Sequence, residues 1–129
     1  MANLRFKRHW QDRAKQANNI EVVFGKALGE AWSRDHDRKV FMELAKFLGI
    51  ERQNAILDIG CGPLARAEVQ YGLQGIRIIG VDISQTAVHH AQAYTKKEGV
   101  LGKTDFVVVD AEALPFRSGR FDVVLCIGI

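Results

Sequence analysis

The sequence predicts an α/β fold built on a mostly parallel sheet, with helices ahead of it and between its strands. Three observations lead there. Short, nearly unbroken Val/Ile runs recur after residue 55, the pattern of parallel strands buried on both faces. Helical segments separate the first three of these runs, as β-α-β crossovers require. A glycine-rich turn directly follows the first run, where such folds pass from strand to helix.

Taken in order, residues 1–50 read as helical, with no Pro and with Gly only at 25, 29 and 49. Over 5–18, Phe6, Trp10 and Ala14 recur at four-residue spacing and form a narrow apolar stripe. From Asp35, the segment DHDRKVFMELAKFLG places Val40, Phe41, Leu44, Phe47 and Leu48 on one helical face. Asp35 or Asp37 can cap this helix and Gly49 stops it. AILDI (55–59) is the first strand. Pro63 to about Leu73 is a helix, with Pro63 in the first turn, where its missing N–H costs nothing. IRIIGVDI (76–83) is the second strand, and Ser84 caps a helix that runs to about Glu98 and ends at Gly99. DFVVVD (105–110) and FDVVLCIGI (121–129) are the third and fourth strands, joined by a link with room for a turn or a brief helix.

The 129 residues suit one domain, and 47% hydrophobic with 26% charged residues is ordinary for a globular protein. Residues 1–54 carry 11 Lys/Arg against 7 Asp/Glu, and residues 55–129 carry 7 against 8. The basic N-terminal half reads first as a solvated helical face, and second as an arm that attracts an anionic substrate or nucleic acid. Cys61 and Cys126 form no CxxC and no Cys/His cluster, so neither a disulfide framework nor a metal site is expected. The N-terminus, MANLRFKRHW, lacks the apolar segment of a signal peptide, and no apolar run approaches the ~20 residues of a membrane span. The expected setting is the reducing cytoplasm.

The chemistry concentrates in LDIGCGPL (57–64), between a strand and a helix. Gly60 and Gly62 allow a sharp turn and close approach to a ligand, and the N–H groups of the following helix favour a negative group there. Asp82 ends the next strand, 20 residues after Gly62, where a carboxylate can accept from two ribose hydroxyls. Dinucleotide-binding folds share both features, so these residues define a nucleoside-binding turn and leave the ligand open.

Two further stretches narrow the choice: VVVDAEALPF, with Asp110 and Ala111 ending strand three, and Phe121-Asp122 opening strand four. With LDIGCG (57–62), GVDIS (80–84), DAEALPF (110–116) and FDVVLC (121–126), the sequence resembles the class I S-adenosylmethionine (SAM)-dependent methyltransferases, in the branch of the ubiquinone/menaquinone-type enzymes. The resemblance covers roughly 40–129. It implies a Rossmann-like three-layer αβα sandwich, strand order 3-2-1-4 for the four strands present; the helical reading of the N-terminal stretch sets an arm over 1–34 ahead of the cofactor domain over 35–129. It implies that Asp58 holds the amino group of SAM's methionine part, lined by backbone at Gly60, Cys61 and Gly62. Asp82 would bind the ribose, Ile83 would pack on the adenine, and Asp110 with the Ala111 N–H would meet its edge. Cys126 to Gly128 would border the methyl-donating end. The family's usual third glycine is Leu64 here, preceded by Pro63. The family's sheet has seven strands, so the resemblance also implies an incomplete domain, whose fourth strand (Val123, Val124, Leu125, Cys126 and Ile127) is an apolar edge prone to self-association.

The implied activity is methyl transfer to an acceptor, expected to be a small molecule, with nucleic acid not excluded. The sequence nominates no general base. Two other readings stand beside it: a cofactor-binding fragment that transfers nothing, and an NAD-dependent oxidoreductase. Asp58 just ahead of the glycines, together with DAEALPF, argues against the latter. The remaining polar signals read as structural. Asp122 fixes the loop before strand four, His89 and His90 lie on a solvated helix face, Arg117 and Arg120 flank an exposed turn, and Trp10 and Trp32 pack rather than form a lid.

Overall fold

The computed structural model describes residues 34–127. Over them the chain runs α1 (Arg34–Leu48), β1 (Ala55–Ile59), α2 (Arg66–Leu73), β2 (Arg77–Asp82), α3 (Gln85–Lys97), β3 (Thr104–Val108) and β4 (Val123–Cys126), with 3-10 turns at Leu101–Lys103 and Ala111–Ala113. The helix expected over 5–18, Trp10, Trp32, most of the basic arm, Gly128 and Ile129 lie outside the described residues.

The strands form one sheet in the order β3-β2-β1-β4, every pair parallel. This is the expected fold class and strand order. Parallel pairing places all four C-terminal strand ends along one sheet edge. In register, Ile59 lies opposite both Val81 and Cys126, and Asp82 opposite Val108.

Cross-strand partners share a face. By that register Ile56, Asp58, Ile78, Gly80, Thr104, Phe106, Val123 and Leu125 point the same way. Phe41 of α1 with Ala67 and Tyr71 of α2 close over Ile56, Ile78 and Leu125 as the buried core. α3 lies on the same side: Arg34 at the start of α1 pairs with Glu98 at the end of α3. Val100, just past α3, also lies against Gly72 of α2, where an added Cβ would meet it at 2.9 Å.

Among the described residues no α-helix stands on the opposite face, and Val124 there is 56% exposed. The Val/Ile runs imply burial on both faces, and the central strands show it, with Leu57 and Val81 buried on this side; the edge strand β4 departs, the described β3–β4 crossover supplying only a 3-10 turn as cover.

α1 also departs from its predicted apolar face. Phe41 is buried and Leu44 packs against the core, but Phe47 is 86% exposed and Val40 and Leu48 are exposed. Asp35 and Asp37 lie within the first turn rather than ahead of it. α3 begins as expected, the Ser84 hydroxyl accepting from the Ala87 N–H at 3.1 Å.

Tyr71 joins α1 and α2. Its ring meets Phe41 edge-on at 5.6 Å, and its fully buried hydroxyl donates to the Phe41 carbonyl at 2.9 Å. Tyr71→Phe keeps the ring and loses this bond, so urea denaturation should show a loss of about 1 kcal/mol, or up to ~3 if the cavity leaves the carbonyl without a partner. An unchanged unfolding midpoint would show that this bond contributes nothing.

Candidate functional site

β1 ends at Ile59 and the backbone turns at once. Gly60 and Gly62 adopt φ of +74° and +70°, the left-handed region closed to most side chains. The N–H groups of this turn serve the protein itself. Gly60 and Cys61 both donate to the Val81 carbonyl, at 2.9 and 3.0 Å, and Gly62 donates to Asp82 Oδ2 at 3.0 Å. α2 begins only at Arg66, after Ala65 in a left-handed conformation at φ 45°.

Two sequence expectations fall here. Pro63 belongs to the turn and not to the first helical turn. The glycines also do not run straight into a helix whose N–H groups receive an anion, because α2 starts later and the turn's donors are committed to β2. Three carboxyls, Asp58, Glu68 and Asp82, gather at the turn beside the Cys61 thiol, with the Arg66 guanidinium acting on Asp58, and their excess of negative charge favours a positive group.

Asp58 leaves β1 toward α2 and is 5% exposed. Burial pushes its pKa up, and the nearby Asp82 charge adds to the rise; hydrogen bonding with Glu68 and attraction from Arg66 oppose it, and the carboxyl settles at about 6. Asp82, at the end of β2, accepts from Gly62 N through Oδ2 and from Ser84 N through Oδ1, the latter at 2.9 Å. Its carboxylate therefore ties the glycine turn to the loop entering α3. Burial raises its pKa while these N–H groups pull it down. Ile83 beside it is half-buried.

The third acid sits differently from its predicted place. β3 ends at Val108, so Asp110 lies two residues beyond the strand. It caps the 3-10 turn, accepting from the Glu112 N–H at 2.9 Å, and Ala111 next to it is exposed. Cys126 ends β4 beside Ile59 and is exposed, whereas Cys61 in the turn is half-buried. Burial, then the Glu68, Asp82 and Asp58 carboxyls, push the Cys61 thiol far up, so it stays neutral and lines the turn rather than reacting.

The sheet thus brings the Gly60–Gly62 turn, Asp82, Ile83, Asp110, Ala111 and Cys126 to one edge, with Asp58 just beneath the turn. Asp122 is tied into the backbone as the sequence suggests. Asp122 accepts from Ala55 N at 2.7 Å while its own N–H donates to the Ala55 carbonyl at 2.9 Å, a reciprocal lock on the loop before β4. His89 is exposed and His90 half-buried on α3. Among the described residues no group of three or more His, Cys, Asp or Glu could hold a metal ion.

Glu68 is a member of this site that sequence reasoning missed. It is wholly buried in α2 and faces Asp58, and neither of its oxygens meets an N–H or O–H donor. A faint signal was present: Glu68 lies between Ala67 and Val69 in a helix buried from Ala67 to Gly72.

Comparison with known proteins agrees with this geometry. Residues 56–129 match the model of a family described as a methyltransferase domain. The chain is similar to a sterol 24-C-methyltransferase of Gibberella zeae, 34% identical over 101 residues, which are 78% of this chain and 26% of that protein. It is similar to norajmaline N-methyltransferase of Rauvolfia serpentina, 40% identical over 75 residues, 56% of this chain and 25% of that one. Among solved structures it resembles the cyclase SpnF, with a TM-score of 0.61 and 27% identity, covering 67% of this chain and 32% of the other. The chain therefore spans about a quarter of the length of the two curated relatives.

Proposed function

The chain belongs to the family of class I SAM-dependent methyltransferases, and from that membership we propose that its glycine turn receives the methionine end of the cofactor, as the cofactor-holding part of a methyl-transferring enzyme. The observation that carries this reading is the charge at the turn. A dinucleotide would set its pyrophosphate against N–H donors, but Gly60, Cys61 and Gly62 have theirs committed and a buried Asp58 stands below. The cationic sulfonium and ammonium of SAM suit such a place. The open space around the Gly62 Cα, where an added Cβ would meet nothing within 4 Å, leaves room for it.

When bound, the cofactor supplies an electrophilic methyl group on a sulfonium. The chain's own residues bind and orient. Asp58 holds the ammonium, and Asp82, already fixed by two N–H groups, offers its remaining lone pairs to the ribose hydroxyls. Ile83 packs on the adenine, with Asp110 and Ala111 at its edge, and Cys126 borders the methyl-bearing end. Positioning of this kind can supply ~7–11 kcal/mol of a reaction barrier in favourable cases.

The acceptor in this reading is a small molecule, as the names of the sterol and norajmaline enzymes suggest for those relatives. Among the described residues no helix is long and apolar enough to cross a membrane. With both cysteines free, we place the chain in the cytoplasm. Likeness to a cyclase favours a second reading, cofactor binding without methyl transfer, because a fold does not dictate its chemistry.

Calorimetry with S-adenosylhomocysteine and with NADH tests the site: heat with the first and none with the second is expected. Binding of NADH alone would overturn the proposal. Transfer of a tritiated methyl group then separates the two readings.

A further inference from the structure

A glutamate in the first turn of a helix is ordinarily solvated, stabilised there by the helix dipole. Glu68 of α2 is fully buried instead, with both carboxyl oxygens lacking an N–H or O–H donor. An ionised carboxylate left so is strongly unfavourable. Its neighbour is Asp58, itself an acceptor when ionised. Two carboxylates hold oxygens and no hydrogen, so the contact becomes a hydrogen bond only when one of them carries a proton.

The surroundings decide which one. Glu68 is the more deeply buried, and burial followed by the Asp58 charge holds its pKa well above the ordinary carboxylate range. From α2, Arg66 attracts the Asp58 charge while its guanidinium also bonds Asp37 of α1, at 3.2 to 3.3 Å. Tyr71, also of α2, feels the Asp58 charge and stays neutral, its pKa pushed up to about 12, first by burial. From β2, Asp82 adds a second negative charge, and Cys61 in the turn is a neutral thiol.

The fold also makes space for this carboxyl. A Cβ on Gly80 of β2 would stand 2.6 Å from Glu68 Oε1, 2.9 Å from Cys61 Cβ and 3.0 Å from the Phe106 ring. The strand is bare at the one point where the acid needs room.

We propose that Glu68 is a positioning residue of the cofactor site: it keeps its proton, donates it to Asp58, and so presents a single, fixed negative charge to an incoming ammonium group. The inference rests on the reading of the turn as the methionine-binding end. The ammonium requires ionised Asp58, so binding below about pH 6 expels a proton, and affinity there falls roughly tenfold per pH unit.

The test is calorimetry with S-adenosylhomocysteine from pH 5 to 8, in buffers of different ionisation enthalpy, on the wild type, Glu68→Gln and Glu68→Leu. Methylthioadenosine, which lacks the amino-acid group, is the control ligand. At pH 5 the wild type should release roughly one proton per S-adenosylhomocysteine, and at pH 8 none, while methylthioadenosine releases none. Glu68→Gln, whose amide still donates, should keep the inflection. Glu68→Leu removes the donor and should raise it by about one pH unit.

Glu68→Gln moving the inflection downward would show that Glu68 carried a charge, and would overturn the proposal; so would proton release with methylthioadenosine. The ligand-free proteins are also followed by carbon-13 NMR of the Asp58 carboxyl. A titration that Glu68→Leu leaves in place overturns the positioning role. Absence of binding heat at every pH counts against the cofactor reading alone, and the NMR titration still decides the role of Glu68. Thermal melts of each variant confirm that it is folded at the pH compared.

Discussion

Asp58→Asn should severely weaken cofactor-site binding and at the same time make the ligand-free protein more stable at neutral pH. The two effects share one cause. Asp58 is almost fully buried and its pKa stands at about 6 against an ordinary 3.8. The folded state binds this proton more tightly than the unfolded chain does. Its stabilising effect is therefore fully present below the ordinary pKa and is lost as pH rises through 6. Holding the ionised group in the fold at pH 7 costs on the order of 3 kcal/mol. The amide has no such cost. The melting temperature of the wild type relative to Asp58→Asn should thus climb as pH is lowered from 7 to 5, and a gap independent of pH would refute the assignment. Binding should weaken by roughly 100-fold or more, the usual result of removing one partner from a desolvated charge pair.

The second large effect concerns Asp82→Ala. The carboxylate holds Gly62 N and Ser84 N at 3.0 and 2.9 Å, so its loss leaves two part-buried N–H groups without their acceptor. Urea denaturation should show a loss of about 2–4 kcal/mol. The glycine turn, freed from α3's entry loop, should also lose its pre-set shape. Binding of methylthioadenosine, which needs the ribose contact and not the ammonium, should fall along with stability. Asp82→Asn retains one oxygen acceptor and should lie between the two. Wild-type binding and stability in Asp82→Ala would remove Asp82 from the site.

Much of the fold was legible because it rests on local patterns. The runs AILDI, IRIIGVDI, DFVVVD and FDVVLCIGI each yield a strand, though the last three strands are shorter than their runs. Strands end where hydrogen bonding ends, not where hydrophobicity does. That is why Asp110 proved to cap a turn instead of ending β3. The late start of α2 was hidden because Ala65 is an unusual residue for a left-handed conformation, and nothing in GPLARA announces one. The periodicity of α1 revealed an apolar stripe but not how much of it meets a partner, and Phe47 on that stripe stands 86% exposed.

The site was legible in its acids and less so in its polarity. Asp58, Asp82 and Asp110 were read from motif positions, and the sheet does bring their neighbourhoods to one edge. Which acceptor takes each N–H of the turn was not legible, because that is a long-range fact: Gly62 and Asp82 are 20 residues apart. Glu68 was missed for the same reason. Only the assembled sheet and helix seal it from water.

The missing Cβ at Gly80 limits what the second strand can carry at that point. A methyl group there would press on three neighbours at once, the Glu68 carboxyl, the Cys61 Cβ and the Phe106 ring, so a shorter side chain on the helix would not by itself make room for it. The helix position is free to change, as in Glu68→Gln and Glu68→Leu, while the strand position stays bare.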